Sequence, residues 1–340
     1  MPNSSYNNPF DREALYFEKR SETVLQCRLC PLQCRLRPGE ISTCRSRKNQ
    51  DNRMVLTTYG KVSAMHIDPM EKKPLYHFLP GASVLSLGNN GCNLKCAFCQ
   101  NWELSQTPLR SYDLPPEDVV KQAKTYDTPA VAFTYAEPTV WYEYILDTSR
   151  LLKDAGIKTI LVSNGFINET PFRALLPSID AINIDIKSMD DGFYRRLCKG
   201  FLEPVLKTCE LAAKSCHVEI TNLIIPDEND SDDNIHQLSV FIRENLGINT
   251  PLHLSRYHPA YQMKKPATPE KTLHNAFSTA KQYLNFVYLG NLAADETNKT
   301  YCPKCHHCLI DRSGYILKQI SVNVDGSCPS CGYQTEIIVT

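Results

Sequence analysis

The clearest chemical signal in this chain is the loop Gly91-Cys92-Asn93-Leu94-Lys95-Cys96-Ala97-Phe98-Cys99-Gln100-Asn101. It follows an apolar run, residues 83–87, which ends in Gly88 and predicts a buried strand. Three cysteines at C-x3-C-x2-C spacing can hold three corners of a cubic iron–sulfur cluster. The loop has no fourth cysteine, so we expect one iron to stay open to a ligand that is not protein. A zinc knuckle is the alternative for these three residues taken alone.

The same residues resemble the signature of radical S-adenosylmethionine (radical SAM) enzymes, in which an aromatic residue precedes the last cysteine, as Phe98 does here. The longer string from Cys92 to Gln106 resembles the radical SAM member of the AmmeMemoRadiSam system, a relative of the pyruvate formate-lyase activating enzymes. This resemblance implies a [4Fe-4S] cluster on Cys92, Cys96 and Cys99 with SAM on the open iron. It also implies an electron donor of the flavodoxin or ferredoxin type and, as partners, Memo-like and AMMECR-like proteins.

Length and composition indicate a globular protein with one large domain and smaller attachments. The chain has 340 residues, of which 42% are hydrophobic and 22% charged, enough to bury a sizeable core. Lys+Arg and Asp+Glu both number 37, so the overall charge does not indicate a polyanionic partner. We expect no signal peptide, because residues 1–10 lack a charged leader and an apolar core. No apolar run approaches the roughly 18 residues of a membrane span, and we expect a reducing cytoplasm, where closely spaced cysteines bind metal.

A second group of cysteines lies near the N-terminus at C-x2-C-x3-C-x9-C spacing: Cys27, Cys30, Cys34 and Cys44. Four thiolates can bind one zinc ion or one iron–sulfur cluster, and the spacing does not distinguish the two. Reduced structural thiols are the alternative. The preceding segment, residues 11–20, predicts a short helix.

Basic residues surround this second group: Arg28, Arg35, Arg37, Arg45, Arg47, Lys48 and Arg53. Such a patch suits RNA, a phosphorylated ligand or an acidic protein. The alternative is that these charges offset the negative charge of a thiolate-bound metal. Nucleic acid is therefore one candidate partner.

From residue 83 onward, apolar runs alternate with helical periodicity. The runs cover residues 83–87, 130–135, 159–163, 181–186, 218–225, 252–257 and 286–290. Repeated βα units predict a parallel α/β sheet with right-handed crossovers. The predicted helices cover residues 116–126, 140–155, 171–176, 201–216, 234–246 and 268–284. The segment from Asp68 to Phe78 is predicted to be a loop across the barrel mouth, where packing is favoured over a catalytic role for His77.

The polar residues that end these strands are the candidate site, because such barrels place their chemistry at the carboxyl ends of the strands. Glu137-Pro138 stands where radical SAM enzymes have the Gly-Gly-Glu-Pro element that meets the SAM amino group, although Tyr135 and Ala136 replace the glycines. Asp185-Ile186-Lys187 resembles the Asp-Leu-Lys element of glycyl-radical activating enzymes. The resemblance thus implies SAM contacts from Phe98, Tyr135, Glu137, Asn164, Asp185, Lys187 and His258. A satisfied buried glutamate, an interior Asp–Lys pair and simple packing are the respective alternatives for Glu137, for the charged pair and for His258.

Two C-P-x-C knuckles near the C-terminus predict a zinc ribbon. Their cysteines are Cys302, Cys305, Cys328 and Cys331, with Cys308, His306 and His307 as spare ligands. A rubredoxin-type iron would use the same four sulfur atoms, so an electron-transfer role is the alternative.

The predicted fold is α/β, a radical SAM partial TIM-like (β/α)6 barrel with terminal cysteine modules. Predicted boundaries are 1–56 for the N-terminal module, 57–296 for the core and 297–340 for the ribbon. The predicted activity is reductive cleavage of SAM to a 5′-deoxyadenosyl radical that modifies an unidentified substrate: RNA or a nucleobase, a peptide or a small molecule. A glycyl-radical enzyme activating enzyme and a non-catalytic metal-binding adaptor are the two alternatives.

Overall fold

The computed structural model describes residues 12–293 and 296–340. Its first part consists of six short strands: β1 (Arg12–Glu13), β2 (Phe17–Lys19), β3 (Leu25–Cys27), β4 (Arg35–Leu36), β5 (Arg47–Gln50) and β6 (Arg53–Leu56). They form two antiparallel sheets with the strand orders β1-β6-β5 and β2-β3-β4. The helix expected over residues 11–20 is wrong within the described residues, because β2 pairs with β3 and long-range pairing overrides a weak local propensity. Residue 11 itself lies outside the described residues.

Ten further strands build a small ladder and the main sheet: β7 (Lys61–Val62), β8 (Ala64–Pro69), β9 (Ser83–Gly88), β10 (Tyr112–Asp113), β11 (Ala130–Phe133), β12 (Lys158–Ser163), β13 (Ala181–Asp185), β14 (His217–Ile224), β15 (Leu252–Arg256) and β16 (Val287–Gly290). The main sheet has the order β16-β15-β14-β13-β12-β11-β9-β8. All neighbours from β9 to β16 are parallel, and β8 joins β9 antiparallel. The seven apolar runs are thus the seven parallel strands, one more than a (β/α)6 unit has. Within the described chain, β8 and β16 do not pair with each other, so hydrogen bonding leaves the sheet open.

Eight α-helices are described: α1 (Trp102–Gln106), α2 (Pro116–Thr125), α3 (Tyr142–Asp154), α4 (Glu169–Leu175), α5 (Asp191–Phe193), α6 (Glu203–Ala212), α7 (Asp232–Asn245) and α8 (Glu270–Lys281). The six helices expected from periodicity are confirmed within a few residues at each end. Helices α1 and α5 were not expected, nor was the π-helical segment Tyr194–Cys198 that follows α5. No described helix has the length and apolar character that crossing a membrane requires.

The two faces of the main sheet are covered differently. Consecutive parallel strands joined by right-handed crossovers carry their helices on one face, and Leu85 and Leu161 on that face share an apolar cluster with helical residues. Because side chains alternate along a strand, Val84 and Ile160 point to the other face. There they pack against the segment after β8, which includes Phe78.

The segment Pro69–Phe78 lies at the amino ends of the strands and not at their carboxyl ends. The backbone N–H groups of Tyr76 and His77 donate to the carboxylate of Glu219, near the start of β14, at 2.9 and 2.7 Å. His77 is buried and its Nε2 lies 2.7 Å from the Tyr288 hydroxyl. The expectation that His77 packs is therefore confirmed. Glu219 holds its loop at the amino end of the strands.

The C-terminal region forms a three-stranded antiparallel sheet, β17 (Thr300–Tyr301), β18 (Cys308–Ser313) and β19 (Ile316–Ile320). It docks on the same amino end. Arg312 is fully buried; its Nε lies 3.2 Å from Glu71 Oε1, and its NH2 group donates to the Tyr76 carbonyl. Leu79 N–H also donates to the Ile338 carbonyl at 2.7 Å.

Candidate active site at the carboxyl ends of the parallel strands

The loop of residues 91–101, here called the Cys92 loop, is held by backbone hydrogen bonds to two other segments. Glu137 N–H, after β11, donates to the Gly91 carbonyl at 3.2 Å. The N–H groups of Lys95 and Ala97 donate to the carbonyls of Cys198 and Leu197, at 2.8 and 2.9 Å. The π-helical segment thus presents carbonyl groups that fix the loop at the carboxyl edge of the sheet.

Each of the three thiols in the Cys92 loop has a different neighbour. The Asn164 side-chain amide, just after β12, donates to Cys92 Sγ at 3.5 Å, and Cys99 Sγ lies 3.2 Å from the Ser105 hydroxyl. The nearby thiol of Cys198, together with burial, raises the pKa of Cys96. Sequence reasoning missed Cys198, because no spacing connects it to the loop.

The three thiols do not form a compact group for a single metal ion. Among the described residues, the one group whose ligand atoms all lie within 4.8 Å of one another is at the C-terminus. Sulfur atoms on one tetrahedral zinc lie roughly 3.8 Å apart, given Zn–S bonds of about 2.3 Å. Thiolates on a four-iron cube lie further apart because each binds its own iron. The thiols of the Cys92 loop are therefore not arranged as ligands of one zinc ion.

Glu137 is buried and fully engaged with the protein. Its Oε1 accepts hydrogen bonds from Thr139 N–H, Thr139 Oγ1 and Ser163 Oγ at 2.7–2.9 Å, and its Oε2 accepts one from Asn164 N–H at 2.8 Å. Burial raises the pKa of Glu137, and these hydrogen bonds lower it in part. Its charge in turn raises the pKa of Cys92, already raised by burial. Glu137 thus joins the ends of β11 and β12 beside Cys92.

Two of the residues expected to contact SAM turn their side chains away from the Cys92 loop thiols. Phe98 is buried and packs against Phe193, with ring centroids 5.7 Å apart. Tyr135 has a left-handed backbone conformation, φ 68°, and its hydroxyl donates to Asp68 on β8. Only backbone atoms of Tyr135 remain for a ligand near Gly91.

Asp185 and Lys187 lie on the same edge, at the end of β13. Lys187 Nζ is 3.0 Å from Asp185 Oδ2, and their side chains are 14% and 39% exposed. Burial lowers the pKa of Lys187, but the charges of Asp185, Cys96 and Cys198 outweigh it and raise that pKa well above its ordinary value. The pair is therefore half-open to solvent and electrostatically linked to the Cys92 loop.

A surface groove runs beside the loop, between the ends of β15 and β16. It is lined by Gln100, His258, Pro259, Ala260 and Asn291. His258 is exposed there, whereas Arg256 Nε donates to the Thr268 carbonyl at 2.8 Å. His258 therefore lies at the edge of the site, whereas the Arg256 side chain is hydrogen-bonded to the loop that follows its own strand.

The N-terminal cysteine set (Cys27, Cys30, Cys34 and Cys44) converges around the β3–β4 turn. Cys27 N–H donates to the Cys34 carbonyl at 2.9 Å, and Cys34 Sγ is 3.4 Å from the Thr43 hydroxyl, next to Cys44. No three of these sulfur atoms lie within 4.8 Å of one another.

One of the basic residues around the N-terminal cysteine set, Arg47, does not lie at the surface. Arg47 is fully buried, and its NH2 group lies 2.6 Å from Glu143 Oε1 on α3, which is also fully buried. The opposite charge of Glu143 allows the guanidinium to leave the surface. Arg35, Arg37 and Arg53 remain exposed.

The C-terminal cysteine set (Cys302, Cys305, Cys328 and Cys331) is compact. Sulfur pairs Cys302–Cys331 and Cys305–Cys328 are 3.5 and 3.6 Å apart, close to the spacing on one tetrahedral metal ion. All four ligand atoms lie within 4.8 Å of one another. This group can bind one metal ion.

Comparison with known proteins identifies the family. The Radical SAM superfamily model matches residues 87–238, and uncharacterized protein MJ0808 of Methanocaldococcus jannaschii is 42% identical over 335 residues, covering 96% of this chain and 100% of that protein. This chain belongs to the radical SAM superfamily. Within it, the pyruvate formate-lyase 1-activating enzyme of Escherichia coli (strain K12) is 28% identical over 190 residues, which cover 53% of this chain and 76% of that enzyme.

A solved structure shares the radical SAM fold. Streptococcus suis SuiB bound to S-adenosylmethionine superposes with a TM-score of 0.50 at 18% identity, over 61% of this chain and 52% of that chain. Membership in the superfamily implies a [4Fe-4S] cluster and SAM as cofactors. The donor set agrees with this: the loop offers three thiols that do not form a compact single-ion group, beside an open groove, without a fourth cysteine from that loop.

Proposed function

We propose that this radical SAM protein reductively cleaves SAM and modifies a substrate that enters through the groove beside the Cys92 loop. The observation that carries the proposal is the three-thiol loop at the carboxyl edge of the main sheet, whose sulfur atoms are not gathered into a compact group for a single ion. When bound, the cluster and SAM supply a 5′-deoxyadenosyl radical after one-electron reduction. The main sheet, with its strands in sequential order, is proposed to curve into a partial barrel around this site.

Different residues of the chain would bind the iron–sulfur cluster and SAM. Cys92, Cys96 and Cys99 would bind three irons. Glu137 fixes the ends of β11 and β12 so that the backbone beside Cys92 keeps one geometry. Asp185 and Lys187 offer a half-exposed charge pair, whose carboxylate suits an amino group and whose ammonium suits a carboxylate.

The groove contributes the remaining part of the site. His258 and Asn291 line it together with Gln100 of the loop. Both side chains offer hydrogen bonds, which suits the adenosine part of SAM or a polar substrate. Apolar packing of Phe98 and Phe193 beneath the loop keeps water from the buried side of the thiols.

A second candidate, a glycyl-radical enzyme activating enzyme, is favoured by the similarity to the pyruvate formate-lyase 1-activating enzyme and by the Asp185-Ile186-Lys187 element. Such an enzyme would place a radical on the backbone of a partner protein and use one SAM per partner activated. A modifying enzyme would instead turn over many times and change the mass of its substrate.

We further propose an AmmeMemoRadiSam assignment, with Memo-like and AMMECR-like partners and a flavodoxin- or ferredoxin-type electron donor. The string from Cys92 to Gln106 supports this assignment. Zinc is the proposed metal of the C-terminal cysteine set, because its compact sulfur group suits one tetrahedral ion.

The test is anaerobic reconstitution with iron and sulfide, followed by reduction in the presence of SAM and measurement of 5′-deoxyadenosine with and without the two partner proteins. We expect 5′-deoxyadenosine to form and the partners to raise its yield. Formation in a single turnover together with a radical on a partner would favour the activating enzyme. Folded, iron-loaded protein that never cleaves SAM would contradict the proposal and favour a metal-binding adaptor.

A further inference from the structure

The N-terminal cysteine set is not used by the proposed function, yet its geometry is that of a binding site. Residues from three segments converge on it: β3 supplies Cys27, the turn before β4 supplies Cys30 and Cys34, and the chain before β5 supplies Cys44. Cys27 N–H donates to the Cys34 carbonyl at 2.9 Å, Gln33 N–H donates to the Cys30 carbonyl at 3.1 Å, and Cys34 Sγ is 3.4 Å from the hydroxyl of Thr43, the neighbour of Cys44. The backbone therefore brings the four cysteines together in one region of the N-terminal module.

The separation of these sulfur atoms argues against one zinc ion. No three of them lie within 4.8 Å of one another, whereas all four of the C-terminal cysteine set do. The chain thus contains one compact sulfur group, and the N-terminal set and the Cys92 loop both lack that compact arrangement. Four thiolates without it suit a cluster in which each thiolate has its own iron.

Charge and burial also suit a cluster at this place. Three of the four cysteines are buried, and only Cys34 is partly exposed. Arg47 is fully buried beside Cys44: its backbone N–H donates to the Ser42 hydroxyl at 3.1 Å, and that hydroxyl lies 3.1 Å from Cys44 Sγ. Arg47 Nε is buried without a hydrogen-bond partner among the described residues. A buried N–H with no partner is costly, and cluster sulfur atoms would accept its hydrogen bond.

The N-terminal cysteine set lies directly against the Cys92 loop. Gly91, with φ 148°, is so close to the Cys44 carbonyl that any side chain there would collide with it. Arg45 donates to Asn90 Oδ1 at 3.4 Å. On the other side, Asn168 N–H, in the loop that begins with Asn164, donates to the Leu29 carbonyl at 3.0 Å. Gly91, the residue that lies against the Cys44 carbonyl, directly precedes Cys92 in the chain.

We propose that the N-terminal cysteine set binds a second iron–sulfur cluster, which passes electrons from a donor protein to the Cys92 loop. This inference rests on the proposed function for its electron-transfer part but not for its metal. One electron enters the second cluster from a reduced flavodoxin- or ferredoxin-class protein and leaves it toward the Cys92 loop. The second cluster is thereby reoxidised and is unchanged over a full turnover.

The outer side of the set suits such a donor. Cys34 is its most accessible cysteine, and Arg35 and Arg37 beside it are exposed. Exposed positive charges around an accessible cluster ligand steer a donor with an acidic surface. The C-terminal cysteine set lies at the other end of the sheet and is not placed for this role.

The metal is tested in the full-length variant Cys92→Ala/Cys96→Ala/Cys99→Ala, which lacks the first cluster. After anaerobic reconstitution, iron, acid-labile sulfide and zinc are counted, and the reduced protein is examined by electron paramagnetic resonance. We expect iron and sulfide in equal amounts, roughly four of each per chain for a four-iron cluster. Zinc in place of iron, without sulfide, or thiols without any metal would overturn the proposal.

The ligands are tested by adding Cys34→Ser to that triple variant. This cysteine is partly exposed, so its replacement disturbs packing less than that of Cys27 or Cys44. We expect most of the remaining sulfide to be lost or the resonance signal to shift, while circular dichroism and the C-terminal metal content stay unchanged. A signal identical to that of the triple variant would exclude Cys34 as a ligand and contradict the four-cysteine site.

Electron transfer is tested with Cys34→Ser in the otherwise unaltered chain, by comparing a donor protein with dithionite. We expect a larger loss with the donor protein, both in 5′-deoxyadenosine and in the resonance signal of the reduced Cys92-loop cluster. Equal losses with both reductants would overturn the relay. If wild-type protein holds iron in the N-terminal cysteine set but never cleaves SAM, the second cluster stands and the proposed function fails.

Discussion

The C-terminal cysteine set and the Cys92 loop both present cysteine thiols, but they arrange the sulfur atoms differently. In the C-terminal set, two sulfur pairs lie 3.5 and 3.6 Å apart and all four atoms fall within 4.8 Å. In the Cys92 loop, each thiol has its own neighbour, and the three are not gathered around one point. The separation of the sulfur atoms, and not the number of cysteines, is what distinguishes a site for one ion from a site for a cluster.

The two regions also lie at opposite ends of the main sheet. The C-terminal region binds the amino end through Arg312 and the segment containing Tyr76. The Cys92 loop lies at the carboxyl end, where parallel strands of α/β proteins carry their ligands. We therefore expect changes in the C-terminal region to alter stability, and changes in the loop to alter chemistry.

The largest expected effect is the loss of SAM cleavage when Cys92, Cys96 or Cys99 is replaced by alanine. With only two thiolates left in the loop, one iron of the cluster would lose its protein ligand. The yield of 5′-deoxyadenosine should therefore fall to the level of cluster-free protein in an anaerobic assay. Cys216→Ala is the matched control, because Cys216 is partly buried and belongs to none of the three cysteine sets. Activity that survives in a loop variant would mean that another residue, such as Cys198, completes the cluster.

Removal of the C-terminal metal should act on stability instead. Chelation, or Cys302→Ser, is expected to lower the free energy of unfolding by several kcal/mol, since structural zinc contributes about 10–16 kcal/mol to the folding of isolated peptides. Metal content and denaturant unfolding measure the effect, and SAM cleavage per folded molecule should persist. Loss of cleavage in folded variants would show that this metal takes part in the chemistry.

Arg312→Met removes one buried contact between the C-terminal region and the sheet and leaves the four cysteine ligands in place. Arg312 and Glu71 are both fully buried, so removal of the guanidinium leaves a buried carboxylate without its counter-charge. Such a break costs about 3–5 kcal/mol. Denaturant unfolding should show this loss with the metal content unchanged, and Arg312→Met/Glu71→Gln should recover part of it. Equal stability of the single and double variants would mean that the buried charge is not the cause.

Much of the fold could be predicted from the sequence, because strands buried on both faces are continuous apolar runs. The runs at residues 130–135 and 159–163 are mostly apolar in this way, and both form parallel strands of the main sheet. The N-terminal strands could not be predicted, since β2 is defined by its pairing with β3 and not by its own composition. Short paired segments carry little local signal.

The site was predictable where a motif is contiguous and unpredictable where the contact is distant. Cys92, Cys96 and Cys99 follow from spacing alone. The burial of Arg47 depends on Glu143, 96 residues away, and the role of Cys198 depends on a π-helical segment that no periodicity indicates. The side chain of Tyr135 is likewise directed by Asp68 on a strand that precedes the motif.

The smallest expected effect, Glu137→Gln, examines how rigid the carboxyl end must be. Glutamine keeps one carbonyl oxygen for the Thr139 and Ser163 donors, but its amide then faces the Asn164 N–H, donor against donor. One unsatisfied buried group costs about 1–3 kcal/mol, which denaturant unfolding should show.

Ser163→Ala is the control for Glu137→Gln, since it removes a single hydrogen bond to the same carboxylate, worth about 0.5–1.5 kcal/mol. If the loop geometry matters for SAM, Glu137→Gln should weaken SAM binding more than Ser163→Ala does, with the iron content of both variants unchanged. Equal SAM binding in the two variants would limit Glu137 to a structural role. In that case, the Cys92 loop at the carboxyl end and the C-terminal cysteine set at the amino end of the main sheet would differ in the metal they bind. They would not differ in how rigidly the surrounding residues must hold them.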